Sequence, residues 1–514
     1  MTARCSPVDA PAPLPLQVTA SAWPRRRWLT FALAAFSGPA AWAAASSSAS
    51  AASSASARAA PALQVAPLVP VEWTLANGLQ VILLPESPAA AAGPGSAAVP
   101  GGSGLVSVQV WYRVGGKDDP LGRSGFAHLF EHMMFKGTRH LANEQFDRLT
   151  EDVGGQNNAF TAEDVTVYHE DVPANHLERL LWAEAERMSS LRVDQANFDS
   201  ERAVVKEELR QRVLADPYGR LFNGLAPAFW QRHPYRRPVI GRIEDLDAAS
   251  LDDVRRFHAT YYRPDNALLI VAGDFDAAQA RAWVERYFAP LTRPATPVPR
   301  VQVREPRRTA PARVDLHAPQ VPLPAVALLW QGPPAGHPDA AALQVASALL
   351  AGGESARLHE ALVYRERIAQ SAGFGADTLV DGGMLSAWAI AAGGPGSGGT
   401  ASAALDRLAL ALRREVDRLA RGPIGAAELD KVRTALVTEA LVSRQTPHGR
   451  AQTAGWALIQ RGDARAADRE LAELQAVRAA DVQRVLKTWI GGGHPVTVTY
   501  TQDAKGQAHG EAAR

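Results

Sequence analysis

The chain has 514 residues, of which 46% are apolar and 21% charged, and its formal net charge is +1. These proportions exclude a disordered chain and a membrane-embedded bundle, and the length leaves room for two or more domains of roughly 100–200 residues each. The balance of 54 basic against 53 acidic residues gives no sign of a nucleic-acid partner or of a strongly basic membrane-binding face.

The N-terminus reads as an address. Arg25, Arg26 and Arg27 precede a short apolar run, Trp28 to Phe36, and Ala41-Trp42-Ala43 supplies small residues at the two positions a signal peptidase reads. That run is too short to cross a bilayer, which takes about 20 residues. Residues 1–43 are therefore expected to be a signal peptide, and the protein to be exported to the periplasm or secreted. The paired arginines before Trp28-Leu29 also resemble a twin-arginine signal, so the general secretory and twin-arginine routes both stay open. Residues 44–65, mostly Ala and Ser, read as a tether. The single cysteine, Cys5, lies in the segment expected to be removed. A mature chain without thiols has no disulfide and no Cys-zinc site, so any metal must be held by His and carboxylates. No later stretch is long and apolar enough to span a membrane.

The folded part is expected to begin near Glu72. Leu75-Ala76-Asn77-Gly78-Leu79 marks a tight turn, because Asn-Gly accepts positive φ angles. Val81 to Leu84 reads as a strand, as do Val106, Val108, Val110, Tyr112 and Val114 with their period-two alternation. Residues 87–104 between them, rich in Ala, Gly, Pro and Ser, read as an inserted loop without chemistry. Helical periodicity follows over Phe126–Phe135, Asn143–Val153, Ala174–Leu191 and Asn197–Leu214. A strand, Ala267–Ala272, ends at Gly273-Asp274, and Ala289–Pro311 is a Pro-, Arg- and Thr-rich linker.

The second half repeats the first. Leu246…Asp253-Val254…Arg256 precedes a helix and a strand, and Leu474…Asp481-Val482…Arg484 does the same before the strand Val496–Tyr500. The expected fold class is α+β: two related α/β domains, each a mostly antiparallel sheet packed with helices, forming two halves of a chamber. The expected divisions are 66–290, a linker 291–312, 313–505, and a tail 506–514.

The chemistry is concentrated in Gly125-Phe126-Ala127-His128-Leu129-Phe130-Glu131-His132. On a helix, positions i, i+3 and i+4 share one face, so His128, Glu131 and His132 point the same way. Two imidazoles one turn apart can reach one zinc ion at about 2.0–2.1 Å. A carboxylate between them can take a proton from a zinc-bound water, whose pKa the metal lowers to about 7. This is the inverted form of the His-Glu-x-x-His arrangement. A catalytic zinc usually has a third protein ligand and one open position. Glu201, Glu207 and Glu208 lie on a predicted helix, with Glu201 and Glu208 on one face, which suits a supporting carboxylate and a ligand. Glutamates on helices are more often simply solvated.

These residues resemble the pitrilysin/insulinase family of zinc peptidases, which includes the mitochondrial processing peptidase. The family pattern is His-x-x-Glu-His followed, at a characteristic distance downstream, by a Glu. That distance, counted from His132, falls on Glu208 rather than on Glu207. The resemblance thus implies zinc ligands His128, His132 and Glu208, Glu131 as general base, and Glu201 as a supporting acid beside the ligands. Gly154-Gly155-Gln156-Asn157-Asn158-Ala159-Phe160-Thr161 resembles the family's strand beside the metal, and implies that Asn158, Ala159 and Phe160 bind the substrate backbone. His233-Pro234-Tyr235 and Tyr262-Arg263-Pro264-Asp265-Asn266 match further landmarks. The likeness runs from about residue 72 to 503.

The second half carries Leu343-Gln-Val-Ala-Ser-Ala-Leu-Leu350 at the corresponding place, which binds no metal and agrees with the family's inert second domain. One departure stands out. Where the family has an Arg and, seven residues on, a Tyr near the metal, the segment around Arg365 has Gln370.

The expected function is that of a zinc metalloendopeptidase acting on peptides or unfolded segments, with Glu131 activating a zinc-bound water and one Zn2+ per chain, no other metal-binding cluster being legible. The alternative is a peptide-binding subunit, non-catalytic or weakly active, that pairs with a homologous peptidase. A homodimer and a heterodimer with an inactive homologue are both open.

Overall fold

Asn77-Gly78 makes the expected turn. Gly78 has φ +94°, and the Asn77 side chain donates to the carbonyls of Phe288 at 2.7 Å and Leu291 at 3.1 Å. The computed structural model describes residues 65–86, 103–393 and 401–503. The expected signal peptide with Cys5, nearly all of the tether, the loop 87–102 and the tail lie outside the described residues.

The first half runs β1 (Val71–Thr74), β2 (Gln80–Pro85), β3 (Leu105–Tyr112), α1 (Phe126–Met133), α2 (Gln145–Glu151), β4 (Gln156–Thr161), β5 (Thr166–Pro173), α3 (Leu177–Ser190), α4 (Gln195–Leu209), α5 (Gly219–Phe229), α6 (Ile243–Asp247), α7 (Leu251–Tyr261), β6 (Ala267–Gly273) and α8 (Ala277–Phe288). The second runs β7 (Ala312–Ala318), β8 (Ala325–Gly332), α9 (Ala340–Ala351), β9 (Ala369–Thr378), β10 (Gly383–Ala391), α10 (Ala401–Arg421), α11 (Ala426–Ser443), α12 (Pro447–Arg461), α13 (Ala466–Ala476), α14 (Ala479–Leu486) and β11 (Val496–Gln502).

The sheets are ordered β1-β2-β6-β3-β5-β4 and β7-β11-β8-β10-β9. Apart from β1, they are the same sheet twice, with β2, β6, β3, β5, β4 matching β7, β11, β8, β10, β9. Each contains one parallel pair, β2–β6 and β7–β11, and is otherwise antiparallel. The repeated sequence falls on α6–α7 and α13–α14. Asp253 accepts from the Ser250 N–H at 3.1 Å and Asp481 from the Arg478 N–H at 3.0 Å, the same helix-start device in both halves.

Both faces of each sheet are covered. Val106, Val108, Val110 and Tyr112 of β3 enter the core under the first half's own helices. The intervening Trp111 is equally buried, because α12 of the second half lies on that side with Ala451, Ala454, Ala457 and Leu458. Gly455 lets the helix come close: a Cβ there would fall 2.4 Å from the Trp111 ring. The exchange is reciprocal. α5 of the first half lays Leu221, Leu225 and Phe229 on the second sheet against Ala327, Leu329, Val498 and Tyr500.

Expected helices differ at their ends. The one read as Asn197–Leu214 begins at Gln195, where Asp194 caps it by accepting from the Asn197 N–H at 2.9 Å, and its continuation Arg210–Leu214 widens into a π turn. The family landmarks outside the metal motif are scaffold. Tyr235 donates to Asp164 at 2.5 Å and accepts from the Asp381 N–H at 3.1 Å, joining the halves. Arg263 pairs with Asp265 and holds the linker through the carbonyls of Pro294 and Thr296 at 2.6 and 2.8 Å.

Candidate active site

The helix that carries the motif is fixed at its start. Gly125 has φ +88°, and a Cβ on it would lie 2.8 Å from the Gly241 Cα. Asp119 accepts from the N–H groups of Gly125 and Ala127, both at 2.8 Å. Burial pushes the Asp119 carboxyl up to about 7 against the pull of these two donors. α1 then commits Phe126, Leu129, Phe130 and Met133 to the core, which turns His128, Glu131 and His132 toward α4 and β4.

The structure brings the predicted residues together. Glu208 Oε2 lies 3.6 Å from His128 Nε2 and 3.4 Å from His132 Nε2. Around a tetrahedral zinc with bonds of about 2.0–2.1 Å, neighbouring donor atoms are about 3.3 Å apart. Two imidazole nitrogens and one carboxylate oxygen within 4.8 Å of one another therefore fit a zinc ion. Glu201 stands behind His132, its Oε2 at 3.5 Å from Nδ1, and its Oε1 takes Lys136 Nζ at 2.8 Å. Arg212 holds the other oxygen of Glu208 at 2.8 Å.

The electrostatics suit a cation. Burial by itself lowers the pKa of His132, but Glu201, Glu208 and Glu131 outweigh it and push the imidazole up to about 9. Burial raises Glu201 and Glu208, yet the facing imidazoles, with Lys136 and Arg212, hold both below the usual carboxylate range.

Glu131 is buried, and one of its oxygens accepts from the Thr161 hydroxyl. Thr161 ends β4, the edge strand of the first sheet, which packs beside α1. The Phe160 ring turns to the far side of the sheet, stacked on Trp456 and edge-on to Trp111. The Ala159 N–H is held by the Asn158 side-chain oxygen at 2.8 Å.

Thr161, Lys136 and Arg212 were not singled out from the sequence. Lys136 and Arg212 follow His132 and Glu208 by four residues, a helical signal open to reading. Thr161 closes the strand that the family likeness marks, but its contact with Glu131 is not legible in the sequence, because the partner lies on another element. The expectation that no second cluster supplies three metal-binding side chains is corrected: His169, Asp171 and His448 also converge. His448 belongs to the second half of the chain and the other two to the first, and only the crossing of α12 brings them together. In the second half, α9 occupies the place of α1 with Leu343 and Leu350 buried. Arg365 is half exposed and lies 3.8 Å from Glu415, and Gln370 is on β9, the counterpart of β4.

Residues 103–242 match the family described as Insulinase (Peptidase family M16), and residues 248–436 match the Peptidase M16 inactive domain. The zinc protease PqqE of Helicobacter pylori is 32% identical over 361 residues, which cover 70% of this chain and 77% of that protein. The probable mitochondrial-processing peptidase subunit beta of Arabidopsis thaliana is 24% identical over 392 residues, 75% of this chain and 72% of that one. The crystal structure of a protease from Helicobacter pylori superposes with a TM-score of 0.77 at 28% identity, over 85% of this chain and all of that one.

Proposed function

The chain belongs to the insulinase family of zinc proteases (peptidase family M16), and from that premise we propose that it is a zinc metalloendopeptidase hydrolysing peptides or unfolded polypeptide segments. The observation that carries this reading is the convergence of His128, His132 and Glu208 with Glu131 beside them, where α1 meets α4.

His128, His132 and Glu208 would hold one zinc ion. That ion would supply Lewis acidity for the scissile carbonyl and for a water, whose pKa it would bring down to about 7. Glu131 takes the proton of the attacking water and returns it to the leaving amine. The Thr161 hydroxyl fixes the direction in which the Glu131 carboxylate faces. Glu201 orients the His132 ring from Nδ1, and Lys136 steadies Glu201. The free edge of β4 at Asn158, Ala159 and Phe160 receives the substrate as an added strand through main-chain hydrogen bonds, which makes recognition tolerant of side chains.

On this reading residues 66–290 are the zinc-binding catalytic half and 313–505 the inert half. Helices α5 and α12 lock the two together, so opening and closing of a chamber falls to a second chain, either another copy or an inactive homologue. The Arg25–Ala43 pattern supports export to the periplasm, with a mature N-terminus near Ala44. N-terminal sequencing of the cell-envelope protein tests that assignment, and an intact Met1 there removes it. The activity is tested with a quenched unfolded peptide. Hydrolysis is expected from the zinc-loaded protein and not after chelation; a folded, zinc-loaded protein that cuts no peptide overturns the proposal.

A further inference from the structure

Beneath the first turn of α12, His169 and Asp171 of β5 meet His448. Positions two apart on a strand share a face, so both β5 side chains leave the sheet toward α12. The start of α12 is set by Thr446, whose hydroxyl accepts from the Gly449 N–H at 3.0 Å, and by Pro447. His448 is thereby held over the sheet, its carbonyl accepting from Gln109 Nε2 at 3.1 Å. Its ring centre lies 4.6 Å from that of His169, at an interplanar angle of 76°. Its Nδ1 stands 3.2 Å from Asp171 Oδ2, out of line for a hydrogen bond. Donor atoms of the three side chains all lie within 4.8 Å of one another.

His169 is 4% exposed, yet neither of its ring nitrogens has a hydrogen-bond partner among the described residues. The same is true of His448 Nε2. Nearby polar groups are committed elsewhere: Gln109 serves the His448 carbonyl and the Trp111 indole, and Gln156 donates to Asp171 Oδ2 at 3.3 Å. Buried polar atoms nearly always have partners, so this concentration of unpartnered ring nitrogens in one place points to a ligand.

We propose that His169, Asp171 and His448 form a second divalent-metal site, suited to Zn2+, which fastens α12 of the second half to β5 of the first. Two imidazoles and a carboxylate suit zinc, and the 3.2 Å spacing of His448 Nδ1 and Asp171 Oδ2 is close to the edge of a tetrahedral zinc shell. Burial first, and the neighbouring His448 second, hold His169 below the usual histidine range, in the neutral form that a metal ion takes. Burial raises the Asp171 carboxyl, but His448, Ser107 and His169 outweigh it and keep the group ionised. The three donors come together only in the folded chain, so the ion stabilises the exchanged arrangement.

The test uses the full mature chain, stripped with a chelator and dialysed against Zn2+, with zinc content measured by elemental analysis. Wild type is expected to hold one more equivalent than Asp171→Asn or His448→Gln. His132→Ala removes a ligand of the proposed active site, so the two sites are read separately: added Zn2+ is expected to raise the melting temperature of H132A, and not of H132A/D171N. Equal zinc in wild type and D171N, or an unchanged zinc-dependent rise in H132A/D171N, overturns the proposal. Should D171N fail to fold, H448Q at the partly exposed end of α12 carries the same comparison.

Discussion

His132 Nε2 and Glu208 Oε2 stand 3.4 Å apart where α1 meets α4, although two strands and two helices separate them along the chain. On the proposed roles, Glu208 serves binding and Glu131 catalysis. Glu208→Gln replaces a carboxylate by a neutral amide and is expected to weaken zinc affinity. Glu131→Gln keeps its zinc and loses about 10²–10⁴-fold in rate, the usual cost of losing a general base. Glu201→Gln acts through His132 and is expected to weaken zinc binding by about 10–100-fold. Zinc content and peptide hydrolysis are measured for each variant. If Glu131→Gln lost its zinc while Glu208→Gln kept both zinc and activity, the two roles would be reversed.

Thr161 donates its hydroxyl hydrogen to the proposed base, Glu131. Thr161→Val keeps the shape of the side chain and removes the hydroxyl. Zinc content is expected to stay at the wild-type level while kcat falls by about tenfold, the range of losing one oriented hydrogen bond of roughly 1.4 kcal/mol. A variant with full kcat would show that the hydroxyl does not position Glu131.

The exchanged helices make the linker dispensable for association. Residues 302–304 are exposed, and a specific protease site placed at Val303 should be cut. Leu221, Leu225 and Phe229 on one side and the α12 face on the other remain buried after the cut. Each fully buried Leu or Phe side chain contributes roughly 1.5–3 kcal/mol. The two fragments are expected to co-elute in gel filtration under native conditions; their separation without denaturant would show that the interlock is weak.

His258 of α7 is stacked on Phe130, and burial alone holds it down at about 4. Its ordinary value is 6.5. The unfolded chain therefore binds this proton where the folded chain does not. Stability is unaffected by His258 above about pH 6.5, falls as pH drops from there, and levels off below about pH 4. The full loss is on the order of 3 kcal/mol at about 1.4 kcal/mol per pKa unit. Urea unfolding at pH 7 and pH 4.5 should show a smaller difference for His258→Gln than for wild type. Equal differences would mean that His258 does not supply this part of the slope.

What is local or periodic can be read from the residues. His128, Glu131 and His132 are legible because a helix puts i, i+3 and i+4 on one face. Glu208 and Glu201 are legible as a pair two turns apart on another helix, with the family spacing choosing Glu208 over Glu207. Asp253 and Asp481 betray the duplication because helix starts use short-range signals. The rest follows from packing between distant elements. Nothing in the Ala- and Gly-rich run of α12 says that it lies on the other half's sheet, since a helix that packs on its own half would show the same pattern. Thr161 meets Glu131 because β4 packs beside α1, and His448 meets His169 and Asp171 because α12 crosses to the first sheet. Such contacts depend on where whole elements come to rest, which no local spacing of residues encodes.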